Sequence, residues 1–403
     1  MPAPVRVLAI GNAYPPHHLG GYEIIWQGVM EWLRQEGHSV RILTTGHRSH
    51  VVPGAGEGED PDVHRQLDWY WRDHEWRRLG PTARLRVERH NAEVLDHHLE
   101  QFTPHVIAWW PVGGMSLGMI ERARRRGVPA VFFVLDYWPV YGPRHDLWQR
   151  MWRFGAARLA VALTGLPARV DYREAGHWVF CSHIVRERTL AALGPLERTR
   201  VIGPGVRSTF AEQERASPAP PWRWRLLYVG RVVEQKGVLT AVESLAQLPP
   251  EAELLIVGDG DAAYRAELER AAARLGVAGR IGFAGHRPHG DLIDVYRDAD
   301  AVLFPALWEE PWGLVPLEAM ALGRPVLATG RGGSGDYLRD RENAILFPAG
   351  DASALASALR SLAADAELRA RLRHGGYLTV DTHGERAFNR EAGQEIVAAA
   401  RPS

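Results

Sequence analysis

Two pairs of charged residues in this chain have the types and spacing to handle a sugar attached to a diphosphate. In residues 229–237 (VGRVVEQKG), an apolar run breaks at a glycine and delivers Arg231 and Lys236 just before a helix-compatible stretch. Two cations at the carboxyl end of a strand, next to helix amides, suit a diphosphate. In residues 308–321 (WEEPWGLVPLEAMA), Glu310 falls in a loop and Glu318 in the second turn of a helix expected to start near Gly313. A carboxylate accepts two hydroxyls at once, so Glu318 suits a ribose diol and Glu310 the hydroxyls of a sugar. Free amides of Gly313, Leu314 and Val315 at that helix start favour an anion.

Lys236 stands out by composition as well. The chain has 48 basic residues, and this is the only lysine among them. Such a bias fits a GC-rich genome that writes arginine wherever either cation serves. A lysine surviving it marks a place where a compact ammonium matters.

The elements positioning these residues read as alternating strands and helices. Strand-like runs at 5–10, 40–43, 105–110, 130–135, 178–181 and 201–202 form a first series, with a helical stretch at 22–36. A second series runs through 226–229, 253–257, 281–284, 301–304, 325–328 and 344–347. The proline-rich stretch 215–225 (RASPAPPWRWR) separates them and reads as a linker. The expected organisation is therefore an N-terminal Rossmann-like domain over 1–214, the linker 215–225, a C-terminal Rossmann-like domain over 226–376 and a closing helix in 377–403. The fold class is α/β: two doubly wound domains facing across a cleft, with ligands beyond the carboxyl ends of the strands.

Composition narrows the function classes. At 403 residues the chain exceeds one compact core, and 48 basic residues balance 48 acidic ones. That balance argues against a nucleic-acid partner held by phosphate neutralisation. Cys181 is the only cysteine, which excludes a disulfide framework and a thiolate metal cluster and reads as a buried small hydrophobe. No run approaches a membrane span and the first residues do not form a signal peptide, so a cytoplasmic protein is expected.

Residues 225–350 resemble the donor-binding domain of glycosyltransferase family 4, and residues 6–23 (RVLAIGNAYPPHHLGGYE) resemble that family's N-terminal opening. The resemblance implies a retaining enzyme of the GT-B fold with a nucleotide diphosphate sugar, UDP foremost, as donor. It gives Glu310 and Glu318 as the ends of the family's E-x7-E motif, Arg231 and Lys236 as its phosphate pair, and Gly21 as the glycine closing on the distal phosphate. It further implies that Gly285, His286 and Arg287 line the nucleobase through backbone groups, and that Gly258 in VGDG lies near the nucleotide. Trp312 stands where the family usually has phenylalanine, keeping an apolar wall.

The chemistry assigned on this basis uses Glu310, Arg231, Lys236 and Asp136, with no metal and no cofactor beyond the donor itself. The resemblance implies front-face attack, in which the leaving phosphate helps deprotonate the acceptor, so no general base is named. The acceptor is a small molecule, a glycan or a lipid-linked species. Two segments mixing tryptophan and arginine, 68–78 (DWYWRDHEWRR) and 147–154 (LWQRMWRF), are expected to pack as two helices with snorkelling arginines, the alternatives being a sugar platform or peripheral contact with the inner face of a membrane. A hydrolase or epimerase on the same fold and a non-catalytic nucleotide-sugar sensor are the competing readings; a dehydrogenase is disfavoured, because no GxGxxG follows the first strand. Finally, where many family members carry a histidine that contacts the donor's carbon-six hydroxyl, the stretch LDYWP places Leu135. A leucine offers that hydroxyl nothing, which points to a 6-deoxyhexose or pentose donor, unless Asp136, His17 or His18 reaches the same atom.

Overall fold

The structure, a computed structural model, describes residues 3–17, 20–48, 60–72, 75–152, 156–215 and 221–400. The chain divides into two compact units, residues 1–203 with 388–403, and residues 204–387.

In the first unit the strands are β1 (Arg6–Ile10), β2 (Ser39–Thr45), β3 (Val63–Leu67), β4 (Trp71–Arg72), β5 (Glu75–Trp76), β6 (Val106–Trp109), β7 (Ala130–Val134), β8 (His177–Phe180) and β9 (Arg198–Val201). Seven of them form a parallel sheet in the order β3-β2-β1-β6-β7-β8-β9. The central strands read as unbroken apolar runs because both faces are covered, as parallel sheets require. One side of the core is aromatic: Trp110 stacks on Phe133 at 4.4 Å and on Trp26 at 5.7 Å. Gly11, at the end of β1, makes room for that stack, since a Cβ there would lie 2.6 Å from the Trp26 ring.

The second unit holds β10 (Arg225–Val229), β11 (Glu253–Val257), β12 (Ile281–Gly285), β13 (Ala301–Phe304), β14 (Val326–Ala328) and β15 (Ile345–Leu346). They form a parallel sheet in the order β12-β11-β10-β13-β14-β15. The order reverses between β10 and β13, and in sheets of this kind ligands bind beyond the carboxyl ends of the strands at such a switch point. Arg231 and Lys236 follow β10; Glu310 follows β13.

The structure departs from the sequence expectations in several places. Among the described residues of 68–78 there is no helix: β4 and β5 pair antiparallel, Trp71 opposite Trp76, as suits aromatic residues on a strand. In 147–154 a helix covers Leu147–Met151, started by the Asp146 carboxylate, which accepts from the amides of Trp148 and Gln149; Arg153 and Phe154 lie outside the described residues. The second unit begins at Pro204, ahead of the proline-rich stretch, and ends at Ala387. Gly375 and Gly376, at the boundary expected at 376, sit inside the helix Ala366–Thr382. They are there for close packing: a Cβ on Gly375 would lie 2.1 Å from the Glu342 carbonyl, and one on Gly376 3.0 Å from Met320.

Candidate active site

Lys236 ends a one-turn 3-10 helix, Glu234–Lys236, and is followed by Gly237 in the left-handed region at φ 69°. Gly237 must be glycine for a second reason, since a Cβ would lie 2.0 Å from the Pro305 carbonyl. The close approach brings the loop after β10 against the loop after β13, where the Leu307 amide donates to the Gln235 carbonyl at 2.9 Å. The outcome is an ion pair across the point where strand order reverses: Lys236 Nζ donates to Glu310 Oε2 at 2.6 Å. The same oxygen accepts from Trp308 Nε1 at 2.7 Å, and the ammonium lies 5.7 Å from the Trp308 ring centre. Both charged side chains are mostly enclosed, 16% and 12% exposed.

Glu310 is fixed through its backbone too. It pairs with Gly332, and its carbonyl accepts from the Gly333 amide at 2.6 Å; Gly332, at φ 78°, admits no Cβ because the Glu310 backbone lies within 2.4 Å of that position. Arg231 is exposed and makes no ion pair among the described residues. Its carbonyl accepts from the Tyr228 hydroxyl at 2.7 Å, so the backbone is anchored while the guanidinium is left to solvent.

Glu318 sits differently from Glu310. The helix runs Val315–Ala321, with Pro316 in its first turn, which places Glu318 in the first turn and not the second. Gly313 precedes it at φ 97°, its carbonyl accepting from the Tyr337 hydroxyl at 2.5 Å, and Leu314 caps the helix. Leu314 and Val315 stand at this end of the helix, whereas Pro316 has no amide to offer. The Glu318 carboxylate is buried and accepts from the Tyr296 hydroxyl at 2.7 Å. Burial pushes its pKa up, opposed by that hydrogen bond and by the charge of Arg207.

The loop after β11 is braced against the loop after β10, and the end of β12 against the loop after β11. A Cβ on Gly258 (φ 134°) would lie 2.0 Å from the Gly230 carbonyl, and one on Gly260 2.0 Å from the Val232 carbonyl. The GDG motif is thus more than a turn: it lets two loops touch backbone to backbone. Of the three residues expected at the base, Gly285 accepts from the Gly258 amide at 2.8 Å and the His286 amide donates to Asp259 at 3.2 Å. Those two backbone groups are spent on the brace, and the side chains of His286 and Arg287 are exposed. Trp312 is no open wall. Only 7% exposed, it donates to the Pro204 carbonyl at 2.8 Å and packs beside Tyr337 and His383.

In the first unit, Gly21 begins the helix Gly21–Gln35, where early amides have no acceptor within the helix; Glu23 accepts from the Gly20 amide at 3.1 Å. The Tyr22 hydroxyl donates to the Phe133 carbonyl at 2.8 Å, tying this helix start to β7. Just beyond β7, Leu135 is buried and Asp136 accepts from the Trp138 amide at 3.0 Å and from the Tyr141 hydroxyl at 2.9 Å. Burial raises the Asp136 pKa to about 6. Of the histidines offered as alternatives to Leu135, His17 faces Arg48 at 2.9 Å and His18 lies outside the described residues. Sequence reasoning missed Trp308, Tyr296 and Tyr141, the partners of the three carboxylates. Trp308 stands two residues before Glu310, and nothing in the sequence sets it apart from the other tryptophans.

Two parallel sheets, each with a switch point, make up the GT-B fold. HepE from Anabaena, solved in complex with UDP-glucose, superposes with a TM-score of 0.71 at 20% identity, over 98% of this chain and 100% of that one. The family model described as "Glycosyl transferases group 1" matches residues 209–379. A glycogen synthase from Mycobacterium tuberculosis is 32% identical over 402 residues, covering 91% of this chain and 89% of that protein. The lipopolysaccharide core biosynthesis glycosyltransferase LpsE of Rhizobium meliloti is 32% identical over 232 residues, 56% of this chain and 64% of that protein. The chain belongs to the group 1 glycosyltransferases. No helix among the described residues is long and apolar enough to cross a membrane.

Proposed function

We propose that this glycosyltransferase is a retaining, metal-independent member of family 4 that takes a hexose or pentose from a nucleotide diphosphate sugar, UDP first among the bases. The observation carrying the proposal is the Lys236–Glu310 pair across the switch point of the second unit. A diphosphate binding there supplies a stronger anion for the ammonium, and Glu310 becomes available to the sugar hydroxyls. Arg231, anchored by its backbone and exposed, is the second cation. As the bond between the anomeric carbon and the phosphate oxygen breaks, negative charge grows on the diphosphate, and fixed cations stabilise that state more than the bound donor. The acceptor oxygen bonds to the anomeric carbon on the same face, and its proton passes to the departing phosphate oxygen. Asp136, held by Tyr141, orients substrate hydroxyls.

Turnover should survive excess chelator, and Glu318→Ala should raise the donor KM more than it lowers kcat, because a ribose contact is made equally in ground and transition states. Steady-state kinetics with a donor panel would test both. Activity abolished by chelator and restored by magnesium would overturn the metal-free scheme. Rapid donor breakdown without any acceptor would favour a hydrolase instead.

The donor sugar is proposed to lack a carbon-six hydroxyl. Leu135 is buried and cannot bond one. A preference for a 6-deoxyhexose or pentose over glucose on the same nucleotide is expected. Leu135→His should move preference toward the hexose by roughly tenfold, the worth of one regained hydrogen bond. A clear wild-type preference for glucose would refute this.

A further inference from the structure

The first unit also holds a crevice lined by none of the site residues described above. Its volume is about 1310 Å³, and seven arginines line it against two acids, Glu121 and Asp171. Glu121 is buried and already bonded to Arg124 and Arg125. Arg144, Arg150, Arg158 and Arg169 are exposed and form no ion pair among the described residues. A second crevice, of about 560 Å³, shares Arg150 and adds three more arginines, no acid, and Trp76. The chain as a whole has no net charge, so this concentration of cations is local.

Beside the arginines stands a helix that buries almost nothing. Ala157–Thr164 is eight residues long and only Ala160 is buried. Leu159 and Leu163, one turn apart and therefore on one face, are 53% and 68% exposed. Trp76, 37% exposed, stacks on His145 at 4.2 Å.

We infer that this face of the first unit docks on an anionic bilayer, with the unpaired arginines on headgroup phosphates and Leu159 and Leu163 seated at the acyl boundary. A soluble phosphate would call for the arginines but not for two leucines held in water. A bilayer interface accepts both, and anionic headgroups attract clustered cations. At eight residues the helix lies along the surface and cannot span it. The attachment is independent of the donor chemistry proposed above.

The test is sedimentation of the full chain with vesicles of phosphatidylcholine alone or mixed with phosphatidylglycerol, at low and high salt. Binding to the anionic vesicles only, weakened by salt, is expected. The pairs Leu159→Ser with Leu163→Ser, and Arg144→Glu with Arg150→Glu, should each lower the partition coefficient by about tenfold or more, with thermal midpoints unchanged. Absence of binding to anionic vesicles, or binding that survives both pairs, overturns the inference. So does binding that needs the arginines but not the leucines and is fully competed by inorganic polyphosphate, which would mark a site for soluble polyanions.

Discussion

Lys236→Ala is expected to lower kcat by two to four powers of ten, roughly 3 to 5 kcal/mol of transition-state stabilisation. The ammonium is 16% exposed and bonded to Glu310, so its position is set before any ligand arrives. Removing it takes a cation from the place where leaving-group charge develops. It also leaves Glu310 with the Trp308 indole as its remaining hydrogen-bond partner at Oε2. Arginine should rescue only in part, because its planar fork needs more width than the 2.6 Å contact gives. Single-turnover measurement with saturating donor is the appropriate readout. Turnover near wild type in Lys236→Ala would remove this residue from the chemistry.

Gly237→Ala is expected to cost about 3 kcal/mol or more of stability in the second unit, and activity with it. The residue is left-handed at φ 69°, a conformation costly for alanine, and its new Cβ would lie 2.0 Å from the Pro305 carbonyl. Backbone would have to move at the junction that carries Lys236 on one side and leads to Glu310 on the other. Urea unfolding followed by a probe in the second unit is the measurement, since the chain has two units and need not unfold in one step. A loss below about 1 kcal/mol would mean that the two loops can part without strain.

Much of this site was legible in the sequence, for physical reasons that can be named. Arg231, Lys236 and Glu310 lie in loops leaving apolar runs, and such runs become central parallel strands because both faces are buried. The pairing of Lys236 with Glu310 was not legible. It depends on strand order, which puts β13 beside β10 although β11 and β12 intervene in the chain. Glu318 was placed one turn too late because the glycine at 313 reads as a helix start, whereas the backbone there is left-handed and the helix waits for Val315. Trp312 read as a wall because an aromatic between a proline and a glycine gives no sign of its hydrogen-bond partner, Pro204, 108 residues earlier. The segment 68–78 misled because tryptophan and arginine satisfy a helix face and a strand pair equally well, and it is tied to a distant part of the chain by the bond from the Tyr70 amide to the Gly114 carbonyl.

The first unit is built from both ends of the chain, which bears on the order in which it can be made. Its last helix, Glu385–Ala399, brings Gly393 so close to Trp32 that a Cβ would meet the indole at 2.2 Å, and its Glu395 accepts from His177 at 3.1 Å. During synthesis the seven-stranded sheet is complete at Val201, long before Gly393 leaves the ribosome. Until then Trp32 has no lid, and the nascent unit carries an uncovered indole while the whole of the second unit is translated. Residues 388–400 act as the latch on the earlier-made part of this unit, so a chain cut before residue 388 should leave the first unit with the Trp32 indole uncovered.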